Sequence, residues 1–337
     1  METRDGGHHE LYDMLLTELT DILAFLSKKG IESVSEVSKE LLQRGLSIKK
    51  VHVDEGILRS DLVGADASSF LLPLNVGRIA LISAMALGNG CEVEARAVSW
   101  EWGPISRTTF KFWYQAQAEA LIPSVCLRYL RKYGKPDAVL IDGPITPSEA
   151  IVEIPFKVRN KAISSELKEK ASKQVEMMRE LIELCSQRDI PVMGVVKRSN
   201  TRYFLRSFGI ETNYTDQYVF HQMLGFRERT CSVVRHSYGS TDVRAFYIKT
   251  SRNRMTPPVR VEYPSYIDED WVASLVASTS LTISECDGIP IPICQVHRRT
   301  KISEYMVKEM MSRYLYKMVK EGQDERAIGV SWGVSIE

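Results

Sequence analysis

The chain has 337 residues, 44% hydrophobic and 26% charged, an ordinary globular composition that supplies one large core or two modest ones and does not make disorder the default. Lysine and arginine number 44 against 43 acids, so net charge does not point to a polyanionic partner, and any nucleic-acid argument must come from local sites. The longest apolar stretch, Phe70 to Leu87, is interrupted by Pro73, Asn75 and Arg78, and the N-terminal METRDGGHHELYDMLL lacks the basic-then-apolar order of a signal peptide. The expectation is a cytoplasmic protein with no membrane span.

Six cysteines, Cys91, Cys126, Cys185, Cys231, Cys286 and Cys294, form no CxxC pair, and the nearest two are eight apart. That spacing offers neither a zinc knuckle nor a redox motif, and reduced thiols are expected.

In chain order, Leu11, Leu15, Leu16, Leu19, Ile22, Leu23 and Leu26 recur at three and four and predict an amphipathic helix from Glu10 to about Lys28. A second helix is expected from about Ser33 to Arg44. Lys50 to Gly56, Gly77 to Leu87 and Cys91 to Trp102 then read as a meander of three strands. A helical pattern runs from Ser106 to Lys132, with Pro123 as a kink or break. The compact apolar strand Asp137–Gly143 ends in an acid and a glycine, and a long helix from about Ser164 to Arg188 precedes a further strand, Pro191–Lys197. Strands at 245–249 and 259–263, a helix at about 268–278, a proline-rich turn at 287–293 and a last helix from His297 to about Lys320 complete the chain. This alternation predicts an α/β fold with some parallel pairing. The expected organisation is an N-terminal helical arm, residues 1–49, followed by one compact domain, residues 50–337.

Two segments, Asp54-Glu-Gly56 and Asp142-Gly143, place a carboxylate where an apolar strand meets a loop. Ligands bind at strand ends in open α/β sheets, and two such acids on neighbouring strands can share a cation; the alternative is that each Asp caps a turn. Phosphodiester hydrolysis needs an activated water and charge neutralisation on the attacking and leaving oxygens, which hard divalent ions held by carboxylates provide. Glu119, the sole acid between Glu101 and Asp137, is a candidate third ligand from a helix, or else lies on that helix's solvated face. His297, followed by Arg298, Arg299 and Lys301, is placed to bind metal or to orient or protonate a phosphate oxygen, or is an ordinary surface histidine. Lys197, Arg198 and Arg202 after one strand, and Lys249 after another, suit contacts to a nucleic-acid backbone, with a solvated loop as the competing reading. No Gly-x-Ser-x-Gly elbow or Walker loop supports another hydrolase class.

Taken in order, Asp54-Glu-Gly56, Gly77 to Leu87, Leu140-Ile-Asp142-Gly-Pro144, Gly194-Val-Val-Lys197-Arg-Ser199, Tyr247-Ile-Lys249, Arg260-Val-Glu262-Tyr-Pro264 and Gly288 to Ile293 before His297 resemble the succession in NurA nucleases, over residues 50 to about 305. The resemblance implies an RNase H-like core with a mixed central sheet flanked by helices. It also implies a homodimeric deoxyribonuclease, usually manganese-dependent with magnesium as the alternative, acting on single- and double-stranded DNA ends. Its implied partner is a HerA-type hexameric ATPase, in DNA end resection and recombination repair. On this resemblance Asp54, Glu119 and Asp142 are the metal ligands and His297 completes the catalytic set. Three departures, Glu55 after the first aspartate, Pro144 where serine is common and Ile289 where an aromatic is usual, open the alternative of a weak or inactive NurA-like protein that binds DNA or docks on the ATPase.

Overall fold

The computed structural model describes residues 16–22, 34–54, 56–57, 60–74, 77–102, 107–147, 161–280 and 286–321. The strands are β1 (Ile48–Lys50), β2 (Leu62–Leu74), β3 (Gly77–Gly88), β4 (Cys91–Trp102), β5 (Ala138–Asp142), β6 (Val192–Val196), β7 (Glu228–Thr230), β8 (Val233–Tyr238), β9 (Thr241–Ile248) and β10 (Val259–Pro264). The helices are α1 (Arg107–Tyr133), α2 (Lys161–Gln187), α3 (Tyr203–Ser207), α4 (Asp216–Met223), α5 (Glu269–Thr279), α6 (Ile291–Thr300) and α7 (Glu304–Lys320), with further helical residues at 16–22 and 34–43. Among these residues, no helix is long and apolar enough to cross a membrane.

The strands form a single ten-stranded mixed sheet in the order β1-β7-β9-β10-β6-β5-β2-β3-β4, with β8 on β9. Within it, β2, β3 and β4 make an antiparallel meander, β5 joins β2 in parallel, and β6 joins β5 in parallel. That is the RNase H-like arrangement. Strands β5 and β6 at the centre are apolar up to Asp142 because both faces are covered. Val139 and Ile141 of β5 pack under α1 and α2, while Ala138 and Leu140 face the cluster containing Val272, Leu275 and Val276 of α5 and Ile293 of α6. Helix α1 runs unbroken through Pro123, since Ile122, Val125 and Cys126 around it are buried against the sheet and outweigh one lost backbone bond.

Three expectations change. The meander begins at Leu62, not at Lys50, because residues 51–54 form no strand and only Ile48–Lys50 pairs, with β7 at the far edge of the sheet. Residues 34–50 are also built into the body: Val34, Leu41 and Leu46 share a core with Phe204, Phe220 and Tyr247. Of the expected first helix, 16–22 is helical and the remainder lies outside the described residues. Finally, Cys286 and Cys294 are joined as a disulfide, bridging the turn before α6 to that helix's first turn, while Cys91, Cys126, Cys185 and Cys231 are free. The turn folds the chain back so that the two cysteines meet, which their linear spacing did not reveal.

Candidate metal centre

Because Ala65 of β2 registers with Ile141 of β5, the next residues along these parallel strands, Asp66 and Asp142, stand side by side. Helix α6 covers them. Its approach depends on Gly64, where a Cβ would lie 2.2 Å from the carbonyl oxygen of Pro292. Only a residue without a side chain lets the helix backbone sit that close. The close seat delivers two side chains to Asp66: His297 Nδ1 lies 2.8 Å from Asp66 Oδ2, and the Thr300 hydroxyl donates to the same oxygen at 2.9 Å. Asp66 Oδ1 accepts from the backbone N–H of Ala67 at 2.7 Å.

Asp142 closes the group. Its Oδ2 lies 2.5 Å from the ammonium of Lys197, at the end of β6, and 3.5 Å from His297 Nδ1. One donor atom from each of Asp66, Asp142 and His297 lies within 4.8 Å of the others, the spacing of ligands around one cation. The two carboxylates are nearly removed from water, with side chains 6% and 11% exposed. Burial, reinforced by the charge of Asp66, pushes the Asp142 carboxyl up to about 6, against the opposing pull of Lys197 and His297. A buried anionic pair that its own cations do not fully offset, presenting hard oxygen donors and one imidazole nitrogen, fits a divalent ion of the magnesium or manganese type.

Glu119, on α1, lies outside the group of close donor atoms but borders a cavity that Asp142 also lines. It is half-buried and lines, with Asp142, Gly143, Pro144, Ala67 and Gln174, a cavity of about 230 Å³. The buried Gln174 Oε1 there accepts no hydrogen bond.

The remaining sequence candidates fall elsewhere. Asp54 is exposed, its N–H donates to the Ser278 hydroxyl at the end of α5, and its Oδ1 accepts from Gly56 N–H at 2.8 Å, the turn-capping alternative. From there the chain enters β2 beside Asp137, at the opposite end of β5 from Asp142. Asp54 is therefore corrected to a turn residue, and Asp66 occupies the position it was expected to fill. Lys249 is also corrected: it is 5% exposed, with its ammonium turned inward onto the Thr256 carbonyl, so it offers no surface to a phosphate. Arg198 is exposed and Arg202 half-buried on the loop from β6 to α3, while Lys197 belongs to the centre itself. Asp66 and Thr300 escaped the sequence reading; the signal that marks Asp66 is a lone acid in the run Val63-Gly-Ala-Asp66-Ala.

An RNase H-like sheet with two aspartates abreast at its central parallel strands, covered by a histidine-bearing helix, defines a nuclease-type α/β protein. Residues 61–302 match the family model for the NurA domain, a span that holds Asp66, Glu119, Asp142, Lys197 and His297 and excludes Asp54. The chain belongs to the NurA family. Among solved structures, the NurA nuclease from Sulfolobus solfataricus is 17% identical, with a TM-score of 0.59 over 93% of this chain and 98% of that one. A NurA crystallised with manganese is 12% identical, with a TM-score of 0.60 over 93% and 99% of the two chains. A NurA bound to dAMP and manganese is 12% identical, with a TM-score of 0.56 over 97% and 99%. These likenesses establish the shared fold. No curated protein matches the chain.

Proposed function

We propose that this protein is a manganese-dependent deoxyribonuclease, with magnesium as the alternative ion, whose metal ligands are Asp66 and Asp142, with Glu119, which shares a cavity with Asp142, as the third. The observation that carries the reading is the convergence of Asp66, Asp142 and His297 within 4.8 Å. That manganese accompanies two structures of this fold supports the choice of ion, and dAMP in one of them supports a nucleotide product. A bound divalent ion supplies charge neutralisation on the phosphate and a more acidic water.

The chain's own residues divide the remaining work. Asp66 and Asp142 hold their oxygens abreast, fixed by sheet register and by the Thr300 and Ala67 donors. His297 and Lys197, both beside Asp142, carry hydrogen-bond donors to a phosphate oxygen or leaving group. Arg198 and Arg202, next along the chain, hold the backbone of the strand without reading its bases. Action on single- and double-stranded ends, a homodimeric assembly, docking to a HerA-type ATPase, a cytoplasmic location and a place in end resection belong to the same proposal and rest on family membership.

The test uses the full chain on an end-labelled DNA duplex and its single strands. Cleavage should require manganese or magnesium and disappear in Asp66→Ala and Asp142→Ala. Metal-independent cleavage, or full activity in both variants, would remove this centre from the chemistry; folded protein that never cleaves would favour the inactive, partner-binding reading.

A further inference from the structure

A fully buried carboxylate, that of Glu262, lies outside the proposed ligand set and holds the loop that follows Asp142. Glu262 pairs with Gly194 across β10 and β6, and Gly194 pairs with Ile141 across β6 and β5, so the three residues lie abreast. Directly paired residues point to the same face. Gly194 leaves that face open: a Cβ there would lie 2.5 Å from the Gly143 carbonyl oxygen and 2.9 Å from the Ile145 nitrogen. Through this opening Glu262 Oε2 accepts three hydrogen bonds, from Ile145 N–H at 3.0 Å, Thr146 N–H at 3.0 Å and the Thr146 hydroxyl at 2.9 Å. The loop is tied from its other side by the Tyr238 hydroxyl, which donates to the Ile145 carbonyl at 2.8 Å.

The other oxygen of Glu262 faces cations. Arg260 Nη2 lies 2.8 Å from Oε1 as an ion pair rather than an aligned hydrogen bond, and Arg235 Nε lies 3.7 Å away. Every group around the carboxylate is thus a donor. An amide in its place must turn its NH2 toward either the loop's N–H groups or the arginines, so glutamine cannot satisfy both sides.

We propose that Glu262 is a positioning residue for the metal centre: by clamping residues 145–146 it fixes the Asp142 carboxylate beside Asp66. This rests on the proposed metal-centre reading. Nothing else about Glu262 calls for the assembly of donors on one short loop, since a buried ion pair with Arg260 alone would satisfy its charge.

The test compares the full-length wild type, Glu262→Gln, Thr146→Val and Asp142→Asn, with thermal unfolding recorded for each. Binding of manganese alone is followed by the electron paramagnetic resonance of the free ion, and kcat and KM are measured on labelled DNA. Glu262→Gln should bind manganese at least tenfold more weakly, or show at least a tenfold lower kcat at unchanged KM for DNA. Thr146→Val, which removes one of the three donors, should move the same quantity by about threefold. Wild-type manganese affinity and kcat in Glu262→Gln overturn the proposal even if its melting temperature falls. Should Glu262→Gln not fold, Thr146→Val decides, and unchanged manganese affinity and kcat there overturn it. If Asp142→Asn itself binds manganese as wild type does, the metal-centre reading fails; if it alone loses binding, only the role of Glu262 fails.

Discussion

Replacing Asp142 by asparagine should stabilise the metal-free protein, by an amount that depends on pH in a defined direction. Burial and the neighbouring Asp66 push this carboxyl from the ordinary 3.8 to about 6, so the folded state holds the proton more tightly than the unfolded chain does. Folded stability therefore falls as pH rises through this window, and the full loss, about 3 kcal/mol, is present above pH 6. The pull of Lys197 and His297 is already contained in that net effect. Asparagine keeps the shape without the charge, so the variant should exceed wild type by about 3 kcal/mol at pH 8 and by about 1 kcal/mol at pH 4.5, where the wild-type carboxyl is largely protonated in the fold.

Manganese at about a thousand times its Kd should reverse the ranking, because an ion that binds only the folded state then adds about 4.1 kcal/mol, more than the charge costs. Urea unfolding of both proteins at the two pH values, with and without manganese, reads all four quantities. Equal stability of variant and wild type at pH 8, or equal stabilisation of both by manganese, would refute the claim that Asp142 is a buried charge awaiting a cation.

Asp54→Ala should leave cleavage and manganese binding unchanged, since its carboxylate caps a turn, and loss of activity would return it to the site. Glu119→Gln should raise the manganese concentration needed for half-maximal cleavage about tenfold, the size of effect seen when a metal site loses a supporting carboxylate; an unchanged midpoint would place Glu119 outside the centre. Gly64→Ala puts a Cβ 2.2 Å from the Pro292 carbonyl and should cost about 1–3 kcal/mol of stability on denaturant unfolding, with weaker manganese binding as α6 lifts. Unperturbed stability would mean that the helix seat has slack. Reducing the Cys286–Cys294 bond, which closes a short loop, should lower stability by about 2–3 kcal/mol, and a reductant without effect on unfolding would argue that the pair does not hold α6.

The sequence exposed those parts of the fold whose side chains are large and apolar. β3, β5 and β6 are rich in Val, Ile, Leu, Ala and Met, β4 alternates apolar residues with Glu, Arg and Ser, and their positions were legible to within a residue or two. β2 was not, because Gly64, Ala65, Ala67, Ser68 and Ser69 give it the composition of a loop. The reason is steric: α6 abuts one side of this strand at Gly64, and small residues are what the approach permits. The same compactness hid Asp66, which carries no Asp-Gly signature, while the segment at Asp54 displayed one that belongs to an ordinary turn. Lys249 misled for a related reason. The polar run after β9 looks solvated, yet it folds back so that the Thr256 carbonyl receives the ammonium.

What made the first aspartate hard to see also explains how the two carboxylates are held side by side. Two carboxylates pressed together out of water repel, and burial first, then the charge of Asp66, raises the Asp142 carboxyl despite the opposing pull of Lys197 and His297. Left to side-chain freedom, the pair would separate. The separation is opposed by elements that cannot easily yield: neighbouring strands lie about 4.8 Å apart, α6 is seated backbone-to-backbone on Gly64, and the loop after Asp142 is packed against Gly194 and hydrogen-bonded to Glu262. The first two are close approaches of backbone, and the third is a fully buried carboxylate with little freedom to move. The fold therefore holds the ligands in place before a cation arrives, and the binding free energy of the ion is not consumed in drawing them together.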